Sequence, residues 1–495
     1  MPSEHTYKAF DIDIDTLRPD HLGCYGYHRD TSPNIDALAR DAFVFENVHA
    51  SDVPCLPSRT ALLTGRFGIH NGVVNHGGTD ADPALDGAGR EFWSRLQVDS
   101  FPSRLKQAGL RTVSISSFAQ RHSAFHWYAG FDEAYNVGQY GLEIADDVHA
   151  IASDWLARNG SADNWFLHVH MWDPHTPYRA PARYGEPFAH SPLPAWLTDD
   201  TRREHWHGCG PHSAQESNGY APNPTTALRF PRQPQQVPDL VGVRQMFDGY
   251  DTGVLVADDF TGRLLHQLTE LGVHDETAVM VSSDHGETLG ELNVYGDHQT
   301  ADQLTTRVPL ILRWPGLQGG RRRHAFHYQI DIAATILELL GQRAPSRWDG
   351  QGFASSLRAG DDHGRDHLVV SQAAWACQRG VRFEHWIYIN TRHDAYHLYP
   401  EEMLFDLASD PHEQHDVAGT QPVVLSRARS LLADWLAQQL PDAARGRDPH
   451  DNVMAEGGPY HVRGKLPAYA ARLRATERSV LADLLEHRSQ PVGRT

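Results

Sequence analysis

The chain has 495 residues, 40% of them hydrophobic and 22% charged, proportions that fit a soluble globular protein with a core large enough for two domains. A formal net charge of −19 argues against nucleic acid or an anionic membrane surface as partner, and no apolar run approaches membrane-spanning length. Four cysteines (24, 55, 209 and 377) exclude a disulfide scaffold, and the opening MPSEHTYKAFDIDID has no apolar segment of the signal-peptide kind, so a cytoplasmic location is expected.

Residues 7–15 alternate, with Phe10, Ile12 and Ile14 on one face and Asp11, Asp13 and Asp15 on the other. That is the pattern of a strand delivering carboxylates at its C-terminal end. A helix over Asn34–Ala42 follows. A second helix starts near Pro57 and stops at Gly65, placing Cys55 just ahead of a helix N-terminus, where free N–H groups and the dipole favour an anionic nucleophile. Phe101–Ala108 reads as helix, Arg111–Ile115 as strand, Ile144–Ala157 as helix and Trp165–His170 as strand. This alternation predicts an α/β fold with a mainly parallel sheet.

Residues 178–238, rich in Pro, His, Arg and Gly, break the pattern and read as a lid or substrate-binding loop inserted in a catalytic domain spanning 1–365. His205, His207, Cys209 and His212 within it fit no standard zinc spacing, and His122 and His126 lack the glutamate of a zinc-protease helix. The pattern resumes with a helix at Arg244–Leu271, strands at Thr277–Ser282 and Val308–Arg313, and a helix at Ile330–Leu340. Short strand-like runs, His367–Ser371 and Trp386–Asn390, predict a small antiparallel subdomain over 366–440, and a helical tail packed on the surface is expected over 441–495.

Asp284-His285-Gly286-Glu287 directly follows the strand ending at Ser282–Ser283, and open α/β sheets bind ligands at the carboxyl ends of their strands. Together with Asp13, Asp15 and Cys55, Asp284 and His285 are candidate ligands for one divalent cation. Three carboxylates favour a hard ion, Ca²⁺ first and Mg²⁺ next, and the imidazole leaves Mn²⁺ open.

The run Pro54-Cys-Leu-Pro-Ser-Arg-Thr-Ala-Leu-Leu-Thr-Gly-Arg66 contains Cys-x-Pro-x-Arg, the signal by which formylglycine-generating enzymes recognise a cysteine and oxidise it to an aldehyde. It resembles the signature of formylglycine-dependent (type I) sulfatases. Other stretches resemble sulfatase landmarks in the same order: Asp15-Thr-Leu-Arg-Pro-Asp-His-Leu-Gly-Cys-Tyr-Gly26, Ser32-Pro-Asn-Ile-Asp36, Trp172-Asp-Pro-His-Thr-Pro-Tyr178, Ser283-Asp-His-Gly-Glu287 and Arg307-Val-Pro-Leu310. The resemblance implies the α/β sandwich of the alkaline phosphatase superfamily, with a mainly parallel central sheet and a small C-terminal antiparallel subdomain. It also implies that a formylglycine-generating enzyme converts Cys55, that Arg59 stabilises the product, and that Asp15, Asp284 and His285 ligate the metal. By the same likeness His175 contacts the sulfate and His70 lies near the nucleophile.

The chain departs from that family pattern in three places. Asp13, two residues before Asp15-Thr16, stands in for an adjacent aspartate. The family's Lys-x-His after the strand at 111–115 is missing, and Arg121-His122 are the candidate substrate-binding replacements. The late lysine before Arg307 is also absent, with Asp297-His298 near its place. The expected activity is hydrolysis of a sulfate ester, that of a sulfated sugar, with His175 or His298 as general acid. A phosphonate monoester or phosphodiester hydrolase on the same fold is one alternative, and a non-catalytic protein binding anionic sugars is the other.

Overall fold

The alternating residues at the N-terminus form a strand, β1 (Lys8–Ile14), that is buried along its whole length at the centre of a sheet. The structure is a computed structural model and describes residues 6–84 and 95–489. After β1 come β2 (Phe43–His49), β3 (Asp52–Val53), β4 (Arg111–Ile115), β5 (Glu133–Tyr135), β6 (Trp165–Met171) and β7 (Thr277–Ser282). The later strands are β8 (Thr288–Leu289), β9 (Tyr295–Asp297), β10 (Arg307–Arg313), β11 (Arg321–Tyr328), β12 (His367–Gln372), β13 (Cys377–Phe383), β14 (Trp386–His393) and β15 (Glu402–Asp406).

Eight strands form the main sheet in the order β11-β2-β10-β7-β1-β6-β4-β5. β1 runs parallel to both β6 and β7, while β10 is antiparallel to β2 and β7. Both faces are covered, which is why these strands are rich in β-branched and aromatic residues. On one face Phe10, Ile12 and Ile14 join a core with Trp155 and Phe260 from the helices Ala145–Asn159 and Leu240–Glu270. On the other, Ala9 and Met280 pack with Leu105 and Ile336 from the helices Phe101–Gln107 and Gln329–Leu339. The result is a mainly parallel α/β sandwich.

The second sheet, β15-β14-β13-β12-β3, is antiparallel except at its last step. There Ser371 and Gln372 of β12 pair with Asp52 and Val53 of β3, immediately before Cys55. The helix Pro422–Gln439 covers this sheet through Ala428, Leu432 and Trp435.

The 178–238 segment is not loop throughout. It contains the helices Asp199–Trp206 and Pro224–Arg229, whose starts are capped by the side chains of Thr198 and Asn223. Both are short and polar, so no apolar periodicity announces them. The tail forms the helices Pro449–Ala455, Leu466–Ala475 and Ser479–Arg488, and residues 490–495 lie outside the described residues. It is more than a surface layer, because Val462, Tyr469 and Leu473 share a core with Cys209, Trp375 and Tyr396. No helix of the described residues is long and apolar enough to cross a membrane.

The turn after β1 is tied to the β8–β9 region by Arg18, whose Nη1 donates to Glu287 O and to Glu291 Oε1, both at 3.0 Å. Burial pushes the Glu291 carboxyl up, but Arg18 and the His412 N–H overcome that and hold it at about 2 against an ordinary 4.5. A depressed folded value means the pair stabilises fully above pH 4.5 and loses its contribution as pH falls through about 2. Glu291→Gln is expected to cost about 2 kcal/mol at neutral pH, because Arg18 keeps Asp20 but loses its fully buried carboxylate partner. Its urea midpoint should draw towards that of wild type as pH falls below 4.5 and meet it at about 2. A difference that does not change with pH would contradict this account.

Candidate active site

The site gathers at the carboxyl ends of β1 and β7 and at the start of the helix Cys55–Thr64. Thr16, at φ 58°, turns the chain sharply after Asp15, a left-handed conformation that costs a β-branched residue and is typical of functional sites. Ser58 Oγ lies 2.6 Å from Asp284 O and 2.9 Å from Gln329 Oε1, sharing its one hydrogen between them, which fixes the first turn of the Cys55 helix against the end of β7.

Ligand-type atoms of Asp15, Cys55, Asp284 and His285 all lie within 4.8 Å of one another, and all four residues are buried. His285 Nδ1 donates to Gly286 O at 2.8 Å, leaving Nε2 as the free nitrogen, 3.0 Å from Cys55 Sγ and 3.5 Å from Asp284 Oδ2. Asp284 Oδ1 accepts the His285 N–H at 3.0 Å, whereas Asp284 Oδ2 and Asp15 Oδ1 accept no hydrogen bond. Buried carboxylate oxygens are costly without a partner. Two buried carboxylate oxygens that accept no hydrogen bond and an imidazole nitrogen whose lone pair faces Cys55 are a donor set that fits a divalent cation.

Asp13 stands apart from this quartet. Its Oδ2 is contacted by Arg59 Nη1 and by His168 Nε2, the latter at 3.1 Å. Burial raises its pKa, but Arg59 and His168 together hold the carboxyl well below the usual range. Asp13 shares a face with Asp15 yet lies one pleat back from the strand end, and there Arg59 claims it. Arg59 also reaches Asp15 Oδ2 and Asp284 Oδ2, each at 3.1 Å, and its Nη2 donates to His170 Nε2 at 2.7 Å. It is therefore a charge partner of the acidic cluster. Burial, followed by the charges of Asp15 and Asp284, pushes the Cys55 thiol well above its ordinary pKa, so the unmodified thiol stays protonated and a poor nucleophile.

A second group converges on Cys55 from the other side: Cys55 Sγ and the rings of His175 and His298 offer atoms within 4.8 Å of one another. His175 Nδ1 donates to Thr176 O. The His298 ring lies 4.2 Å from that of His285, with Glu287 Oε2 and Asp297 Oδ1 each 3.6 Å from its nitrogens. Burial holds both imidazoles neutral, aided by Arg121 at His175 and by His285 at His298. Arg121 and His122 line the same side, Arg121 lying 4.9 Å over the Trp172 ring and His122 stacking near it at 6.5 Å.

His70 is not brought into this cluster. Its Nδ1 bonds Asp349 Oδ2 at 2.8 Å and its Nε2 donates to Gln439 O at 3.0 Å, so both nitrogens are committed to holding the helix Gly68–Asn71 in place. The insertion's histidines form no metal group among the described residues: His205 bonds Tyr295 OH at 2.8 Å and His212 pairs with Asp297 at 2.7 Å. His126 is occupied by Thr60 at 2.9 Å.

Sequence reasoning overlooked His168 and His170. The parallel register sets His170 beside Asp13 and His168 beside Asp11, and Ser114 and Ser116 bond their Nδ1 atoms at 3.0 and 2.9 Å. Burial, with Arg59 next, lowers His170 to about 3, and burial, only partly opposed by His168, lifts Asp11 to about 7. The signal was a His-Val-His repeat at the end of a strand, a period-2 polar face like that of β1.

Comparison with known proteins gives the family. Residues 12–342 match the family model described as Sulfatase, and residues 290–437 match N-sulphoglucosamine sulphohydrolase, C-terminal. An ulvan-active sulfatase from Formosa agariphila is 24% identical over 432 residues, covering 82% of this chain and 76% of that protein. The structure of BT4656 in complex with its substrate D-glucosamine-2-N,6-O-disulfate superposes with a TM-score of 0.70 at 20% identity, over 90% of this chain and 100% of that one. A phosphonate monoester hydrolase from Silicibacter pomeroyi gives 0.65 at 21% identity, over 89% and 96%.

The turn that presents Asp284 and His285 depends on Gly286, where a Cβ would lie 1.9 Å from the backbone oxygen of Leu304. Gly286 N also donates to Thr305 O at 2.8 Å, so the turn cannot move away cheaply. Gly286→Ala is expected to destabilise by about 3 kcal/mol through overpacking, and to abolish activity. Thermal unfolding checks the first effect. An unchanged melting temperature would refute the close packing described.

Proposed function

Because the chain belongs to the sulfatase family and is a sulfuric ester hydrolase, we propose that it removes sulfate from a sulfated sugar, with Cys55 oxidised to formylglycine as the nucleophilic residue. One observation carries this reading: Cys55 is the point shared by the Asp15–Asp284–His285 set and the His175–His298 set. A group at that position faces cation-type ligands on one side and imidazoles on the other, as attack on an anionic ester requires. The D-glucosamine-2-N,6-O-disulfate substrate of the BT4656 structure, and the ulvan in the name of the Formosa relative, support a sugar as the esterified alcohol.

When present, a divalent cation held by Asp15, Asp284, His285 and the oxygen at position 55 would supply Lewis acidity to nucleophile and ester. With Asp13 engaged by Arg59, the set has two carboxylates and one imidazole, which moves the preferred ion from Ca²⁺ towards Mn²⁺. Conversion of Cys55 by a formylglycine-generating enzyme supplies a hydrated aldehyde, one hydroxyl of which attacks sulfur while the other later expels sulfate as the aldehyde reforms.

The chain's own residues do the rest. Arg59 orients Asp15 and Asp284 and offsets part of their charge. His175 and His298 receive the sulfate oxygens, and an anion between them favours their protonated forms, reversing the effect of burial. His298, with the Asp297 and Glu287 carboxylates beside it, then donates a proton to the departing sugar oxygen.

A second reading changes only the electrophile. The two missing lysines and the likeness to a phosphonate monoester hydrolase favour testing aryl phosphonate beside aryl sulfate. For protein co-expressed with a formylglycine-generating enzyme, the sulfate ester is expected to react faster; a faster phosphonate reaction would replace the substrate assignment. The tryptic peptide Asp41–Arg59 should carry the aldehyde in place of the thiol, and Cys55→Ala should lower kcat by about a thousandfold or more. Active protein in which position 55 remains an alkylatable thiol would defeat the formylglycine route. His298→Ala should slow an alkyl sulfate by about a hundredfold and a nitrophenyl sulfate much less, because the better leaving group needs no proton. Equal losses on both esters would remove His298 from the acid role.

A further inference from the structure

Neither family match extends past residue 437, yet residues 460–462 of the tail lie against the site. Three parts of the chain hold them there. Tyr460 N donates to Asn75 Oδ1 at 3.3 Å, His461 N donates to Ala374 O at 3.1 Å, and Tyr220 OH of the insertion donates to His461 O at 3.0 Å. Tyr396 OH adds a bond to Val462 O at 2.8 Å. The His461 ring is stacked on Trp375, 4.4 Å between centres and 20° between planes, so its rotation is restricted.

In that position His461 Nε2 lies 2.9 Å from His76 Nδ1. The His76 ring in turn sits 5.0 Å from that of His122. A charge on His76 would be opposed first by its burial and then by His122, His461, His298 and His285, so these rings share one electrostatic space with the Cys55 site. His76 Nε2, His122 Nε2 and His298 Nδ1 are buried there without a hydrogen-bond partner. One such nitrogen is a defect. Three in one connected set of rings beside the site are places for a ligand.

The pairing between the two rings specifies the kind of ligand. Burial keeps both neutral, so a single N–H bridges them. If His76 donates through Nδ1, its Nε2 is an acceptor; if His461 donates, His76 Nε2 carries a hydrogen and is a donor. A hydroxyl group serves either arrangement, since it both donates and accepts. A sulfate oxygen serves one of them.

We propose that the His76–His461 pair is a subsite that reads a hydroxyl of the sugar ring bearing the ester, and that the tail residue His461 thereby determines substrate specificity. This rests on the sulfate-ester reading above. An aryl sulfate has no such hydroxyl, so it reports on the chemistry without the subsite.

The test compares D-glucosamine-2-N,6-O-disulfate with 4-nitrophenyl sulfate on the matured full-length enzyme and on its His461→Ala, His461→Asn and His76→Ala variants. Each alanine variant is expected to raise KM for the sugar about tenfold with a smaller change in kcat, and to lower the sugar-to-aryl ratio of kcat/KM by a similar factor. His461→Asn, which keeps a donor and an acceptor, should recover part of the ratio. Equal losses on both esters would mark the pair as structural only and overturn the proposal, as would an unchanged ratio. If wild type hydrolyses neither ester, the sulfate-ester reading itself fails. Calorimetric titration with the same sugar then decides the subsite: weaker binding by His461→Ala upholds it, whereas equal binding, or none by wild type, overturns it.

Discussion

Three carboxylates, those of Asp13, Asp15 and Asp284, are buried around the single guanidinium of Arg59, and the rest of the site is arranged around that imbalance. Taking an ionised carboxylate out of water costs several kcal/mol unless charge and hydrogen bonds compensate it. Arg59 offsets one negative charge, and the remainder is felt: burial, opposed by Arg59 and reinforced by Asp15, pushes Asp284 up to about 6. A divalent cation would balance the set. The same charges raise the Cys55 thiol, so the surroundings that suit a metal also make native cysteine a poor attacking group. That is a physical argument in favour of the proposed conversion of Cys55 to formylglycine.

Such a cluster must be held in position by the fold, and the small sheet contributes directly. Its strand β12 pairs with β3, whose last residue is two before Cys55. The side chain of Gln372, on the same strand, donates to His298 O at 2.8 Å and accepts from Ala374 N at 2.8 Å. One strand of the second sheet thus positions Cys55, the candidate acid His298 and the loop bearing Trp375. The main sheet sets the other half of the geometry, because parallel strands place Asp15 and Asp284 at neighbouring carboxyl ends. Neither sheet alone assembles the site.

How much of this was legible in the residues depended on how local the cause was. Arg111–Ile115 and Thr277–Ser282 are strands with the ends read from sequence, since short β-branched runs bounded by turn residues need no tertiary help. Cys55, Asp15, Asp284 and His285 were identifiable because each sits in a dense local motif. Asp13 reads as a ligand in the sequence, and the structure instead pairs it with Arg59, because a shared strand face does not reveal which carboxylate a distant arginine will take. His70 followed its motif, but the turn at Gly65 and the partners Asp349 and Gln439 carry its ring elsewhere. His168, His170 and His461 were invisible for the same reason: their meaning lies in contacts across long stretches of chain.

The electrostatics of the pocket bear on which anion it can accept. The two lysines expected from the family pattern are absent, and burial keeps His175, His298, His76 and His122 neutral, so the space above Cys55 carries little fixed positive charge before a ligand arrives. A chain with a net charge of −19 adds no long-range attraction for anions. A dianionic phosphate monoester would have to bring most of its compensation with it. A sulfate monoester or a phosphonate monoester carries one charge, which Arg121 and one protonated imidazole can match while the other imidazoles stay neutral and bond hydroxyls. The two electrophiles left in contention are thus those that a nearly neutral, hydrogen-bonding pocket would select, which agrees with the proposal that the alcohol part of the ester carries much of the recognition.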